Sequence, residues 1–162
     1  MADLDIVEVQ GSKVYICDAG TAVTTPTEIG TAITEGKQIA CLQDLGEVST
    51  SREVKTYSCI SSDQIKKSFG SMTVGNMTIQ VLFNSTDSEG LSELRSMYKT
   101  GTRRVFIIEM TDTEGNDTPS YLTFDGGIAG DKIAFPKDGA VGMDFTVELT
   151  ALPVVVDAVP TP

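Results

Sequence analysis

From Val141 to Ala151 every second residue is apolar: Val141, Met143, Phe145, Val147, Leu149 and Ala151 stand on one parity, while Asp144, Thr146, Glu148 and Thr150 stand on the other. Only extended backbone sends alternate side chains to opposite faces, so this run is a β-strand with one face in a core and one in water. A chain built around such a strand needs partners to pair with it and a second layer to cover its apolar face.

The rest of the sequence supplies both. Ser12 to Cys17 reads as a first strand, with Val14 and Ile16 alternating against Lys13 and Tyr15. Met77, Ile79, Val81 and Phe83 share a face opposite Thr78 and Gln80, whereas Met72 and Val74 have the other parity. The phase change places a bulge or turn at Gly75 and Asn76. Arg103 to Thr111 is an apolar strand, and Tyr121 to Asp125 another, continued through Gly126, Gly127 and Gly130 to Ile133–Phe135 with a kink or bulge. One helix is expected between them. Thr86 to Glu89 has capping-box spacing, Leu91, Leu94, Met97 and Tyr98 form a narrow apolar stripe, and Gly101 follows as a stop. Thr21 to Gly36, rich in Thr, Gly and Ala with Pro26, reads as an extended surface loop. The expected class is therefore α+β, mostly β: two packed antiparallel sheets, sandwich- or barrel-like, with one flanking helix.

At 162 residues, 40% hydrophobic and 22% charged, the chain has the size and composition of one folded domain. Its core is expected over residues 12–152, with residues 1–11 and 153–162 as terminal arms, the latter frayed or laid across a neighbour. Residues 47–70 are long and polar and read as a hairpin arm or a mobile loop, the segment best placed to carry an intermolecular contact. The opening MADLDIVEVQ has neither a basic nor an apolar signal region, and no apolar run reaches membrane-spanning length, so a soluble protein without a membrane partner is expected.

Charge and chemistry narrow the function. The net charge of −11 excludes a basic nucleic-acid-binding face as the main feature. The charge is uneven: residues 1–44 hold two basic and seven acidic groups and residues 112–162 two and nine, while residues 45–70 hold four and three. The acidic flanks are either solubilising surface or a surface that repels polyanions. With no histidine, Ser-His and Cys-His catalysis are impossible, and no other nucleophile-and-base pairing appears, so no catalytic residue, cofactor or metal ligand is assigned. Cys17, Cys41 and Cys59 lack metal or redox spacing and read as buried free thiols. Gly70 to Gly75 has phosphate-loop glycine spacing but Asn76 and Met77 where Lys and Ser or Thr are required. The acidic run Asp112, Glu114, Asn116, Asp117 lacks a calcium-loop register and reads as a hairpin tip.

From Leu42 to Pro153 the chain resembles the tail tube proteins of long, non-contractile (siphovirus) bacteriophage tails. The resemblance is carried by Leu42-Gln-Asp-Leu45, the polar stretch ending in Lys67-Ser-Phe-Gly70-Ser, the strand Met77 to Phe83, the helix Asp87 to Lys99, and the strand Tyr121 to Gly130 before the alternating last strand. The segment from Thr21 to Gly36 departs from the family pattern in length, and no decorating domain is expected after Pro162. The resemblance implies hexameric rings stacked into a hollow tube, a component of the virion tail made in the host cytoplasm. It also implies tape measure, tail tip and terminator proteins as partners, and double-stranded DNA that passes without specific binding. An acidic lumen would let that polyanion slide. Asp144 and Glu148, with Asp125 behind them, are the lumen candidates because they lie on polar strand faces. The same alternation fits an outer solvent face. The resemblance further implies that the 47–70 segment reaches the next ring, with Arg52, Lys55, Lys66 and Lys67 meeting acidic groups there. Two other readings stand beside this one: the tube or ring protein of a contractile injection system, and a monomeric acidic binding module.

Overall fold

The computed structural model describes residues 8–83 and 89–162. The alternating strand is β10, Gly142–Leu149, and it lies inside an antiparallel sheet between β6, Asn76–Leu82, and β9, Tyr121–Ala134. β7, Arg103–Glu109, pairs with the first half of β9, and β1, Lys13–Cys17, pairs with β7. The short strands β2, Lys37–Gln38, and β3, Leu42–Leu45, form the two edges of the order β2-β1-β7-β9-β10-β6-β3. The sheet curls without closing into a barrel. Leu45 and Val48 from the β3 side line one groove with Ile108 and Met110 from the β7 side, although three strands separate them in the sheet. The two packed layers expected from the sequence are thus two halves of one curled sheet.

Inside the curl lies the main core. Met77, Ile79 and Val81 of β6 meet Met143, Phe145 and Val147 of β10, and Phe106 and Phe124 stack with ring centroids 5.2 Å apart. The helix α2, Gly90–Thr100, covers this face with Leu91, Leu94 and Met97 of the stripe read from the sequence, while its fourth member, Tyr98, is exposed. It stops at Gly101, whose φ of 68° is the left-handed geometry glycine adopts without strain. The capping box assigned to Thr86–Glu89 begins outside the described residues. At Gly126 a Cβ would come within 2.7 Å of the Glu148 carbonyl oxygen, so the glycine allows β9 and β10 to approach. Farther along, the register slips between Thr146 and Val147, the bulge expected of this glycine-rich strand.

Two segments differ from the sequence reading. The 21–36 loop contains a second helix, α1, Pro26–Glu35. Thr25 caps it through the Glu28 amide, Glu28 bonds back to the Thr25 amide, and Pro26 opens the first turn, so a capping box was present in the sequence. Ile29 and Ala32 bury against Tyr15, Cys17, Val105 and Ile107 on the convex face of the sheet. That second, smaller core explains why β1 is buried on both parities: Tyr15 and Cys17 meet α1 while Val14 and Ile16 face the main core. Burial lifts the Cys17 thiol to about 11, whereas Cys41 and Cys59 are exposed, against the expectation of three buried thiols.

The C-terminal segment is tied to its own chain. β11, Val154–Val156, pairs with the start of β9 along the edge that β10 leaves free, and Val156 buries beside Tyr121. β12, Val159–Pro160, pairs with β8, Asn116–Thr118. Between them the Ala158 amide donates to Ser120 Oγ at 3.0 Å, and Ser120 Oγ donates to Asp112 Oδ2 at 2.6 Å. Bonds from the Ser120 hydroxyl and amide hold Asp112 below the usual carboxylate range, outweighing its partial desolvation, the largest single influence. A three-valine run has no stability of its own; the free edge of β9 supplies it.

Candidate functional site

All but the first three of residues 47–70 fall within a free-standing two-stranded arm. β4, Thr50–Ser58, pairs with β5, Ile65–Val74, and with nothing else in the sheet order. The arm grows directly from the sheet edge: Gly46 N donates to Thr78 O and Gly75 N to Ser49 O, each at 2.8 Å, so β3–β4 and β5–β6 run as one long hairpin. The core-facing parity does change across Gly75, between Val74 and Met77, but the register passes through unshifted, without the bulge or turn expected there. Ten residues of β5 extend about 33 Å.

Every residue of β4 is exposed, and the faces of the arm are unequal. Pairing places Val54 opposite Phe69, Thr56 opposite Lys67 and Ser58 opposite Ile65, and strand parity adds Arg52 with its partner Met72. This face carries Val54, Ile65, Phe69 and Met72. The other carries Lys55 opposite Ser68 and Tyr57 opposite Lys66, with Glu53 and Lys55 3.6 Å apart. The four expected contact residues therefore divide: Arg52 and Lys67 edge the apolar face, Lys55 and Lys66 the polar one. A two-stranded ribbon in water is marginal, and Phe69 and Ile65, both 66% exposed, find no partner within the described residues of the chain.

The convex face of the sheet divides in two. Over β1, β7 and the start of β9 it is covered by α1; over β3, β6, β10 and the rest of β9 it is largely polar and, among the described residues, uncovered. Registers set its rows. Asp44, Gln80, Asp144 and Lys132 lie side by side; next come Thr78, Thr146 and Gly130; then Asn76, Glu148, Gly127 and Arg103. Asn76 Nδ2 donates to Glu148 Oε1 at 3.4 Å. Asp144 and Glu148 thus share one wet face, and Asp44, which the sequence reading left out, joins them. Asp125 stands apart. It pairs with Val105, which packs under α1, and its Oδ1 is buried without a hydrogen-bond partner among the described residues. Alternation in β10 and β6 signalled the face; only the β3–β6 register brings in Asp44.

No group of three or more His, Cys, Asp or Glu side chains is arranged to hold a metal among the described residues, and no helix there is long and apolar enough to cross a membrane. No family model and no curated protein matches the sequence. Solved structures do match the fold. The SPP1 tail tube superposes with a TM-score of 0.69 at 13% identity, over 96% of this chain and 82% of that one. This chain has the tail-tube fold. A sheath/tube terminator of an extracellular contractile injection system, PVC, gives 0.69 at 10% identity over 96% and 99% of the two chains. The tube-terminating cap of the anti-feeding prophage gives 0.68 at 9% identity over 98% and 95%.

Proposed function

We propose that this protein is a structural, non-enzymatic subunit that self-assembles into stacked, hexameric rings, forming the hollow tail tube through which a phage genome passes. The observation that carries the reading is the free-standing β4–β5 arm, apolar on one face, on a fold that matches a tail tube over nearly the whole chain. A monomeric binding module gains nothing from such a ribbon; a subunit that repeats gains a strut. On this reading the protein belongs to the virion tail, has tape measure, tail tip and terminator proteins as partners, and admits duplex DNA without binding it specifically.

The test is electron microscopy of the purified protein over a concentration series. Hollow tubes or rings with a central channel are the expected result; monomers at every concentration overturn the reading. A second reading, the tube of a contractile injection system, is favoured by the equal fit to the PVC terminator. Co-assembly with a sheath protein encoded beside this one separates the two.

The lumen is assigned to the convex polar face, with Asp144 and Glu148 as its carboxylates and Asp44 beside Asp144 in register. In the rows of that face the three carboxylates outnumber the two basic groups, Lys132 and Arg103, so the lining is acidic on balance and offers the DNA backbone no basic track. Replacing Asp144 and Glu148 with Lys in assembled virions should leave tubes intact and slow DNA ejection. Ejection at the unchanged rate removes these residues from the lumen.

A further inference from the structure

A second exposed apolar surface lies at the opposite end of the strand that bears the arm. β6 begins at Asn76, beside the arm, and ends at Leu82, about 20 Å away. There Leu82 pairs with Gly142 and Gly142 with Ala134, and the Phe83 amide donates to the Val141 carbonyl at 2.8 Å. Next along the three chains come Phe83 and Val141, joined by that bond, and Phe135, the residue after β9 ends. The row inside the Leu82 pairs is Val81, Met143, Ile133. By parity both sets belong to the concave face that elsewhere forms the core. Val81 and Met143 are buried, whereas Phe83 and Ile133 are each 48% exposed and Phe135 is 77% exposed. Three large apolar side chains thus continue the core face into water.

The arm does the same at the other end. Val74 and Val48 pack on the main core, and the face that includes Val74 runs on through Met72, Val54 and Phe69 to Ile65. The chain therefore prolongs one apolar face in both directions along β6, on an arm at one end and a patch at the other. Charge favours their meeting between copies. Residues 47–74 hold four basic and three acidic groups, while the remainder holds eight basic and twenty. Arg52 and Lys67 edge the apolar side of the arm, and Asp131 and Asp138 flank the patch alongside Lys137.

We infer that the apolar patch of Phe83, Ile133 and Phe135 is the receptor for the β4–β5 arm of a second copy of this chain. Arm and patch are different surfaces, so the contact is head-to-tail; because they lie at opposite ends of β6, its repeat runs along the strand and propagates a stack. The inference rests on the self-assembly reading above and adds the receiving site to it.

The experiment pairs two exposed-residue variants. Phe83→Ser with Phe135→Ser removes the patch; Ile65→Ser with Phe69→Ser removes the arm's apolar face. None of the four side chains is buried, so circular dichroism and melting temperature should match wild type. Each variant alone should raise the critical concentration for tubes at least about tenfold. Mixed in equal amounts they should form short stacks with a single arm-to-patch junction and no long tubes, since each variant keeps the surface the other lacks. If the patch variant polymerises like wild type, or the mixture gives no stacks, the receptor assignment is overturned while tube formation by wild type stands. If wild type never assembles, both readings fall together.

Discussion

The β4–β5 arm and the curled sheet are made from the same kind of strand, yet their apolar residues do different work. In β10 each of Met143, Phe145, Val147 and Leu149 is buried by its own chain. In the arm Val54, Ile65, Phe69 and Met72 stay 42–66% exposed among the described residues. Burial of a large apolar side chain contributes about 1.5 to 3 kcal/mol, so the sheet's strands hold the monomer together. The arm's strands add little to that, and their apolar surface becomes useful only when a neighbour covers it. On the proposed function, fold stability and assembly then fall to separate stretches of one sequence.

The strongest way to break this comparison is to excise the arm. Ser49 and Gly75 are already joined by a backbone hydrogen bond, so residues 50–74 can be replaced by a short turn without straining β3 or β6. The expected result is a folded monomer with a wild-type near-ultraviolet spectrum and complete loss of tubes. An unfolded product would show that the arm belongs to the folding unit. Tubes of normal length would show that assembly does not use it.

Matched phenylalanines sharpen the contrast. Phe145→Ala empties a site with no solvent exposure and should cost about 3 to 5 kcal/mol in urea denaturation. Phe69→Ala should change monomer stability by less than about 0.5 kcal/mol while weakening assembly. Equal losses of stability at the two positions would mean that the arm folds back onto its own sheet.

Much of this division is legible before the structure. Strict alternation in 141–151 and 77–83 identifies buried strands because a period of two has only one structural meaning, and the helical stripe of Leu91, Leu94 and Met97 is equally plain. The long polar stretch 47–70 left a hairpin arm and a mobile loop both open, and the structure has the hairpin. Three features were not legible in this way. The helix α1 was obscured by its threonines and Gly30, although Thr25-Pro26-Thr27-Glu28 spells a cap and Ile29, Ala32 and Ile33 have helical spacing. The docking of Val154–Val156 depends on an edge of β9 that exists only after β10 ends at Leu149. Asp44 joins the polar face through a register shift between Leu42 and Asp44, and no local pattern carries that.

Ion pairs give a smaller test of the same contrast. Glu93 accepts from Lys37 Nζ at 2.8 Å and from Arg104 Nε at 3.0 Å, tying α2 to β2 and β7. The Lys37 bond first, and the Arg104 bond with it, hold its carboxyl below the ordinary value of 4.5 despite partial desolvation. A carboxyl lowered in the folded state stabilises above its unfolded pKa, and that contribution is lost as pH falls through the lower folded value. Melting temperature should therefore drop below about pH 4.5, and Glu93→Gln should flatten that drop at a cost of about 1 to 2 kcal/mol at pH 7. In the arm Glu53 and Lys55, each more than half exposed, should contribute nothing measurable to the monomer. A Glu53→Gln variant with the same stability loss as Glu93→Gln would erase the distinction.

The finest test lies at the cap of α1. Thr25→Ala removes the hydroxyl that accepts from the Glu28 amide and should cost about 1 kcal/mol of monomer stability. Because α1 packs on the convex face over β1 and β7, while the arm leaves the sheet at the β3–β6 edge, the loss should not reach assembly. At a temperature where both proteins are fully folded, the variant and wild type should polymerise with the same critical concentration. A shift in that concentration without a change in the folded fraction would mean that α1 forms part of the contact between copies. The division of labour would then run through the helix as well as through the strands.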